Sequence, residues 1–158
     1  MNIKIEMENG GIIRAELYPE TAPITVENFV KLIEDRFFDG LIFHRVIPGF
    51  MIQGGGFDTD GNQKEAASIK GEFEQNGVPN TLKHTRGVLS MARTMFPNSA
   101  SSQFFIMHED APHLDGQYAG FGKVLEGMDV VDAIAETPTG FQDKPVDDQV
   151  IKTITLEN

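Results

Sequence analysis

Four side chains of different chemistry lie close together in one short stretch of the sequence. Arg45 precedes the pair Pro48-Gly49, and Phe50, Met51 and Gln53 follow it. Because Pro-Gly pairs form turns, this stretch predicts two strands joined by a hairpin turn. One cation, one amide and two large apolar groups would then line one surface of the hairpin. The pattern alone leaves an alternative open, in which the two apolar side chains belong to the core and the two polar ones are solvated.

The usual sequence signatures of catalysis and metal binding are missing. The run Gly54-Gly55-Gly56 is not followed by the Lys-Ser or Lys-Thr of a P-loop, and there is no G-x-S-x-G elbow. The absence of cysteine excludes disulfides, thiolate nucleophiles and zinc–thiolate sites. The histidines do not pair at metal-binding spacing, so no metal and no cofactor is expected. They are His44, His84, His108 and His113. On motifs alone, a non-enzymatic β-domain would fit equally well.

Bulk properties restrict the class of protein. A length of 158 residues without composition shift, repeat or low-complexity tract predicts a single domain over residues 1–158. A net charge of −11 argues against nucleic-acid binding, which needs a cationic surface. The sequence has no apolar run of about 18 residues and no signal-peptide pattern at its start, so we expect a cytoplasmic protein without membrane contact. A monomer is the default, because no coiled-coil pattern is present.

Apolar periodicity predicts the elements near the N-terminus. Alternation of apolar and polar residues over 2–8 and 12–18, around an Asn-Gly-Gly turn, predicts a hairpin of two half-buried strands. Thr21 is the expected cap of a first helix, and Pro23 falls in its first turn. Apolar residues at helical spacing continue that helix to about Asp35.

The rest of the chain reads as short strands separated by turn residues. The polar residues 57–86 predict a long loop region, and the apolar spacing of 127–135 predicts a short second helix. The remaining predicted strands are 41–47, 50–55, 87–92, 103–107, 119–125 and 149–156. About eight strands with two helices are typical of a closed barrel or a sandwich.

The stretch from Phe38 to Gly55 closely resembles the signature of the cyclophilins. That signature is an aromatic, a short gap, Phe-His-Arg, two aliphatic residues, two free positions and Phe-Met-x-Gln-Gly-Gly, and the sequence satisfies it throughout. The resemblance extends over nearly the whole chain and includes the segments 22–29, 89–92, 102–106, 113–116 and 121–124. It implies a mainly β fold, a closed eight-stranded antiparallel β-barrel capped by two α-helices, in agreement with the count of elements.

The resemblance implies a peptidyl-prolyl cis/trans isomerase that acts on proline-containing peptides and on unfolded or folding proteins. Arg45, Gln53 and Phe50 would be its catalytic residues. Arg45 would donate a hydrogen bond to the prolyl nitrogen of the twisted amide, and Gln53 would position the substrate carbonyl or brace Arg45. The other implied substrate-binding residues are Met51, Ala92, Arg93, Phe105, His113, Leu114 and Tyr118.

Periodicity alone does not assign the roles of Phe105 and of the histidines. Phe104 and Phe105 are neighbours in one predicted strand, so one of them faces the core, and the resemblance assigns Phe105 to the proline pocket. Because isomerisation transfers no proton, no histidine base is required. His44 and His84 are therefore expected to be structural.

The sequence also departs from the best-studied eukaryotic cyclophilins. His113 occupies the position of a Trp that contributes to cyclosporin binding, so weak cyclosporin binding is expected. Tyr118 occupies a position where His is common. The segment Arg93 to Ser102 is one residue longer, and the loop from Asp58 to Ser68 diverges, which together resemble bacterial members.

Two other functions remain as hypotheses at this stage. A proline-binding module without turnover would show peptide binding without cis/trans exchange, but the presence of Arg45, Phe50 and Gln53 argues against it. A purely structural acidic β-domain would bind no peptide at all.

Overall fold

The computed structural model describes residues 1–157, and its first elements are the hairpin and helix that the sequence predicts. Strands β1 (Asn2–Met7) and β2 (Ile12–Leu17) pair antiparallel and bury alternate residues. Helix α1 follows over Pro23–Glu34, with proline in its first turn. It buries an apolar face made by Val26, Phe29, Leu32 and Ile33, as its helical spacing predicts.

The predicted helix cap at Thr21 is wrong. Helix α1 begins one residue later, and its N-cap is Ala22, whose side chain cannot accept a hydrogen bond. Thr21 instead belongs to the preceding turn, where its N–H donates to the carbonyl of Tyr18. In the first helical turn, the N–H of Thr25 has no acceptor within the helix. It donates instead to the buried carboxylate of Glu72, 2.6 Å away. A loop residue distant in sequence therefore satisfies the helix terminus, a role that carboxylates fill well.

The other predicted elements are present, with ends that differ by a few residues. Residues 59–86, most of the predicted loop region, contain no strand and one short 3₁₀ turn at Glu74–Asn76. No helix within residues 1–157 is long and apolar enough to cross a membrane. The remaining elements are β3 (Leu41–Ile47), β4 (Met51–Asp58), β5 (Val88–Met91), β6 (Phe104–Met107), β7 (Gly120–Glu126), α2 (Met128–Ala135) and β8 (Ile151–Glu157).

The eight strands form one antiparallel sheet that curls into a barrel, which confirms the predicted mainly β class with two helices. The strand order is β3-β4-β6-β5-β7-β2-β1-β8. The predicted closure is incomplete, because the edge strands β3 and β8 meet only near one end. There the N–H of Gly40 bonds to the carbonyl of Ile151, and the N–H of Phe43 bonds to that of Gln149. Between Leu41 and Arg45 the pairing of β3 with β4 shifts register twice, and such irregularities bend strands.

The interior of the barrel is filled by an aromatic cluster beneath helix α1. Phe29 lies at its centre, with ring centroids 5.0 Å from Phe38, 5.3 Å from Phe104 and 5.0 Å from Phe121. Each of these rings is buried. With Phe43, whose ring lies 5.9 Å from that of Phe104, five of the twelve phenylalanines thus form this aromatic core.

A second, smaller apolar cluster lies on the outer face of the sheet. Its buried members are Met51, Val88, Phe105, Met107, Ala111 and Leu114. The alternation of side chains along β6 separates the two clusters, since Phe104 belongs to the interior and Phe105 to the outer face. The outer cluster forms the base of a groove on this face of the sheet.

Candidate active site

A groove of about 180 Å³ lies on the outer face of the sheet, over the second apolar cluster. Its lining residues are Arg45, Phe50, Met51, Gln53, Ala92, Arg93, Phe105, Leu114 and Tyr118. The structure therefore brings together every residue that the sequence assigned to the site except His113. Strand register explains this convergence, because Arg45 pairs with Gln53 and Gln53 pairs with Phe105 across three adjacent strands.

The turn between β3 and β4 is held in place by His108. Gly49 occupies this turn at φ +80°, a conformation that favours glycine. Its N–H donates to Nδ1 of the buried His108, 2.8 Å away, and the N–H of His108 donates to the carbonyl of Phe50. Since Nδ1 accepts, Nε2 carries the proton and donates to Asp132 at 3.1 Å. Phe50 at the groove is thus linked to helix α2 through His108.

Asp132 is itself held as an anion. Arg86 donates two hydrogen bonds of 2.8 Å to its carboxylate, and these lower the pKa of Asp132 from its ordinary value. Arg86 also donates to the carbonyl of His108. The Arg86–Asp132–His108 network joins helix α2 to the turn that carries Phe50.

Arg45 lies at the rim of the groove and is braced from one side. Its Nη1 donates to Oε1 of Gln53 at 3.4 Å, and Nε2 of Gln53 donates to Oε1 of Gln103 at 3.0 Å. Within residues 1–157, Arg45 forms no ion pair with a carboxylate. A guanidinium carries five N–H donors, so most of them remain free for a ligand in the groove.

The amide of Gln103 reaches Gln53 because Gly56 leaves room for it. A Cβ atom on Gly56 would lie 2.5 Å from Cγ of Gln103, well inside contact distance. The run Gly54-Gly55-Gly56 therefore lets the side chain of Gln103 pack directly over strand β4. Gln103 and His108 are the two supporting residues that sequence reasoning missed, because their spacing carries no signal and their partners are distant in sequence.

The wall of the groove is apolar and rigid. Met51, Phe105 and Leu114 are buried, and the ring of Phe105 makes an edge contact with Tyr118 at 5.8 Å. Behind Phe105 stacks the buried ring of His84, at 6.1 Å. Burial lowers the pKa of His84, which packs between Ser90 and Asp115 as an uncharged support.

Arg93 closes one end of the groove as a structural brace. Its guanidinium lies over the rings of Phe73 and Tyr118, at 4.6 and 4.7 Å. It also donates to the carbonyls of Gln117 and Thr94. Much of its donor capacity is therefore used within the protein, and its guanidinium packs on the Tyr118 ring at the groove.

His113 does not line the groove. It is exposed, and its ring packs against Phe50 at 5.7 Å with an interplanar angle of 31°. Its contact with the site therefore passes through Phe50.

A second, more polar groove of about 370 Å³ adjoins the first and shares Gln53, Ala92 and Arg93 with it. Its other lining residues are mostly polar and include Gln63, Thr94, Ser99, Ser101 and Gln103. Among residues 1–157 no cluster of three or more His, Asp or Glu side chains could hold a metal ion. The site can therefore offer an apolar pocket, a fixed cation and a polar extension.

Comparison with known proteins identifies the relatives of this chain. The family model described as cyclophilin type peptidyl-prolyl cis-trans isomerase/CLD matches residues 2–156. A peptidyl-prolyl cis-trans isomerase of Acinetobacter baylyi is 48% identical, over 99% of this chain and 85% of that protein. Peptidyl-prolyl cis-trans isomerase B of Escherichia coli is 42% identical, over 94% of this chain and 95% of its own.

Among solved structures, a similar one is a Cryptosporidium parvum cyclophilin type peptidyl-prolyl cis-trans isomerase crystallised in the presence of the dipeptide Ala-Pro. It superposes with a TM-score of 0.84 at 31% identity and covers 100% of this chain and 99% of that chain.

Proposed function

This chain belongs to the cyclophilin-type peptidyl-prolyl cis-trans isomerases, and on that premise we propose that its reaction takes place in the 180 Å³ groove, with Arg45 as the residue that lowers the barrier. The chain is an enzyme that catalyses cis/trans isomerisation of X-Pro bonds, an activity that assists protein folding, and it binds proline-containing peptides. The proposal concerns which residues perform each part of that reaction.

Rotation about a peptide bond is slow because the nitrogen lone pair is delocalised into the carbonyl, which creates a barrier of roughly 18–20 kcal/mol. The two X-Pro isomers themselves differ by only about 0.5–1 kcal/mol. No bond is made or broken, so a catalyst has only to bind the twisted amide more tightly than either planar form. In that twisted state the prolyl nitrogen becomes pyramidal and can accept a hydrogen bond.

The observation that carries the proposal is the position of Arg45. Its guanidinium is braced by Gln53 at the rim of an apolar pocket and has no carboxylate partner within residues 1–157. A proline ring held against Phe105 and Met51 would bring the prolyl nitrogen to this rim. A rigid, permanently charged donor suits the twisted amide, because no proton has to move.

The direct test compares Arg45→Ala with Arg36→Ala by NMR exchange spectroscopy on a short Ala-Pro peptide. Loss of a charged hydrogen bond is worth about 1.5–3 kcal/mol, so kcat/KM should fall roughly 10- to 150-fold in Arg45→Ala. Arg36 is an exposed arginine outside the groove and serves as the matched control. A folded Arg45→Ala protein with the parent rate would refute the proposal. Peptide shifts without exchange peaks in the parent would instead favour a module that binds without turnover.

Cyclosporin binding is proposed to be weak, because His113 stands where better-studied relatives carry Trp. The exposed His113 ring offers less apolar area than an indole and packs on Phe50. His113→Trp should therefore tighten cyclosporin binding, measured by calorimetry, while kcat/KM changes by less than about two-fold. Unchanged affinity in the Trp variant would contradict this.

We also propose that residues 1–158 form one domain that works as a monomer in the cytoplasm and does not bind nucleic acid. The net charge of −11 supports the last point. Sedimentation velocity and cell fractionation test the oligomeric state and the location.

A further inference from the structure

A large open groove lies on the other side of Arg45 from the proline pocket. It encloses about 810 Å³ between strand β3 and the loop 140–146. Ile42 and His44 line it from β3, towards the start of that strand, whereas Phe50 and Met51 line the proline pocket towards the turn. Arg45 is the one residue that lines both. The two grooves therefore adjoin at the Arg45 side chain.

The loop presents apolar side chains to this groove, and nothing in residues 1–157 covers them. Phe141 is 86% exposed and Val146 is 68% exposed, and both line the groove. Ile42 and Phe57 continue the apolar surface on the sheet side, where they are buried and half-buried. Contiguous apolar surface beside an active site marks a site of contact with a ligand.

The loop is held in a defined shape. Gln142 and Asp143 adopt φ values of 57° and 60°, in the left-handed region that non-glycine residues seldom occupy. The N–H of Gly140 donates to the carbonyl of Lys144 at 2.8 Å, and the N–H of Val146 donates to that of Pro138. Consecutive left-handed residues persist only where the surrounding structure enforces them, and they cluster at functional sites. Phe141 is thus presented on a fixed turn.

The histidine on the facing wall is uncharged at neutral pH. His44 packs against the ring of Phe57 at 4.6 Å, and burial, with a smaller contribution from Arg45, lowers its pKa to about 4. The charged groups at the groove are Arg45, Asp143 and Lys144. An apolar side chain that lies between Phe57 and Phe141 would therefore bury no charge on His44.

We propose that this second groove binds a large apolar side chain located two or three residues after the proline of the substrate. The inference rests on the proposed function of the first groove. We assign the residues before the proline to the polar groove, which shares Gln53 with the proline pocket and includes Ser101 and Gln103. The chain after the proline then leaves across Arg45. An extended chain advances about 3.3 Å per residue, and we assign the space under Phe141 to its second or third residue after the proline.

The test uses three peptides and three proteins. One peptide carries only Ala and Gly around a single Ala-Pro, one has Phe at the second and third positions after the proline, and one has the same two Phe before Ala-Pro. The proteins are the parent, Phe141→Ala and Phe96→Ala. Phe96 is another exposed phenylalanine, 68% accessible, that lines neither groove. KM and kcat are measured by exchange spectroscopy over a range of enzyme and peptide concentrations.

The parent should show a KM about five-fold lower for the peptide with Phe after the proline than for the plain peptide, with kcat unchanged. Phe141→Ala should abolish this advantage and Phe96→Ala should keep it. All three proteins should turn over the plain peptide equally, because Phe141 lies outside the proline pocket. Three results would each overturn the proposal. The parent could show the same KM for the plain peptide and for the peptide with Phe after the proline. The peptide with Phe before the proline could show the same lowering of KM, or Phe96→Ala could lose the KM advantage as Phe141→Ala does.

Two further measurements separate the remaining cases. If the parent fails to isomerise the plain peptide, the proposed function is wrong. Binding in the second groove is then tested separately, by titrating the protein with the peptide that has Phe after the proline. Shifts of the Phe141 ring signals in the NMR spectrum would show that the groove binds this peptide, and unshifted signals would overturn the proposal. If sedimentation shows that the parent dimerises and Phe141→Ala does not, a second copy of the chain occupies the groove and the proposal is wrong.

Discussion

The two faces of the curled sheet use the same residue types for different purposes. Phe104 points inward, where its ring packs against Phe29 and Phe43 and helps to fill the barrel. Phe105, the next residue, points outward and forms the wall of an open groove beside Tyr118. The inner cluster is buried, whereas the outer cluster ends at a rim of polar side chains. Stability and chemistry are therefore carried by alternate positions of one strand.

The largest effect that tests this comparison is expected from the pair Phe104→Ala and Phe105→Ala. Removing the Phe104 ring leaves a cavity in the closed core and should lower the free energy of unfolding by about 3–5 kcal/mol, measured by urea titration. Phe105→Ala should lower it less, by about 1–3 kcal/mol, because the groove is open to solvent on one side. Its kcat/KM should nevertheless fall about ten-fold, while folded Phe104→Ala keeps most of its activity. The reverse pattern would show that the two faces are not functionally distinct.

The outer face also contains one group whose charge state should affect stability. Burial lowers the pKa of His44 from about 6.5 to about 4. Between these values the unfolded chain binds more protons than the folded one, so the contribution of His44 is complete above pH 6.5 and is lost as the pH falls towards 4. The loss is at most about 3 kcal/mol.

The check for His44 is a pH series of urea titrations on the parent, His44→Gln and His113→Gln. The difference between the parent and His44→Gln should shrink as the pH falls from 6.5 to 4. The exposed His113 serves as the control, and its variant should follow the parent. A difference that does not change with pH would mean that His44 is not held neutral.

The smallest effect is expected at Gln103, which touches the groove through another side chain. Gln103→Ala removes the acceptor for Gln53 and should lower kcat/KM about five-fold, since a neutral hydrogen bond is worth about 1 kcal/mol. Gln103→Glu keeps an acceptor at that place and should restore most of the rate, which a purely structural role would not explain. Gln63→Ala, on the rim of the same polar groove, is the control. Full activity in Gln103→Ala would show that Gln103 does not help to position Gln53 and Arg45.

Sequence patterns predicted those parts of the molecule that depend on neighbouring residues. Alternation over the first two strands and helical spacing around Phe29 were enough to predict β1, β2 and α1, because burial on one face imposes these periods. The cap at Thr21 was predicted wrongly because Glu72 satisfies the helix terminus from a loop 47 residues away in the chain. Local patterns contain no information about such a partner.

In the site, too, contacts between neighbouring residues could be predicted from the sequence, and contacts between distant segments could not. A hairpin could be predicted to bring Arg45, Phe50 and Gln53 together, but only the family resemblance selected Phe105 over Phe104. The roles of Gln103 and His108 depend on contacts between distant segments and on space left by Gly56, so no spacing indicated them. Alternation likewise does not reveal the irregular pairing between β3 and β4 at the incompletely closed edge of the barrel.

The central claim is that the guanidinium geometry of Arg45, and not its charge alone, lowers the barrier. The most direct measurement is kcat/KM of Arg45→Lys on a short Ala-Pro peptide by NMR exchange spectroscopy, with the fold of the variant verified by its amide spectrum. Lysine keeps the positive charge but loses the rigid array of donors and the bond to Gln53. We expect a loss of about ten-fold or more. A folded lysine variant with the parent rate would contradict the claim.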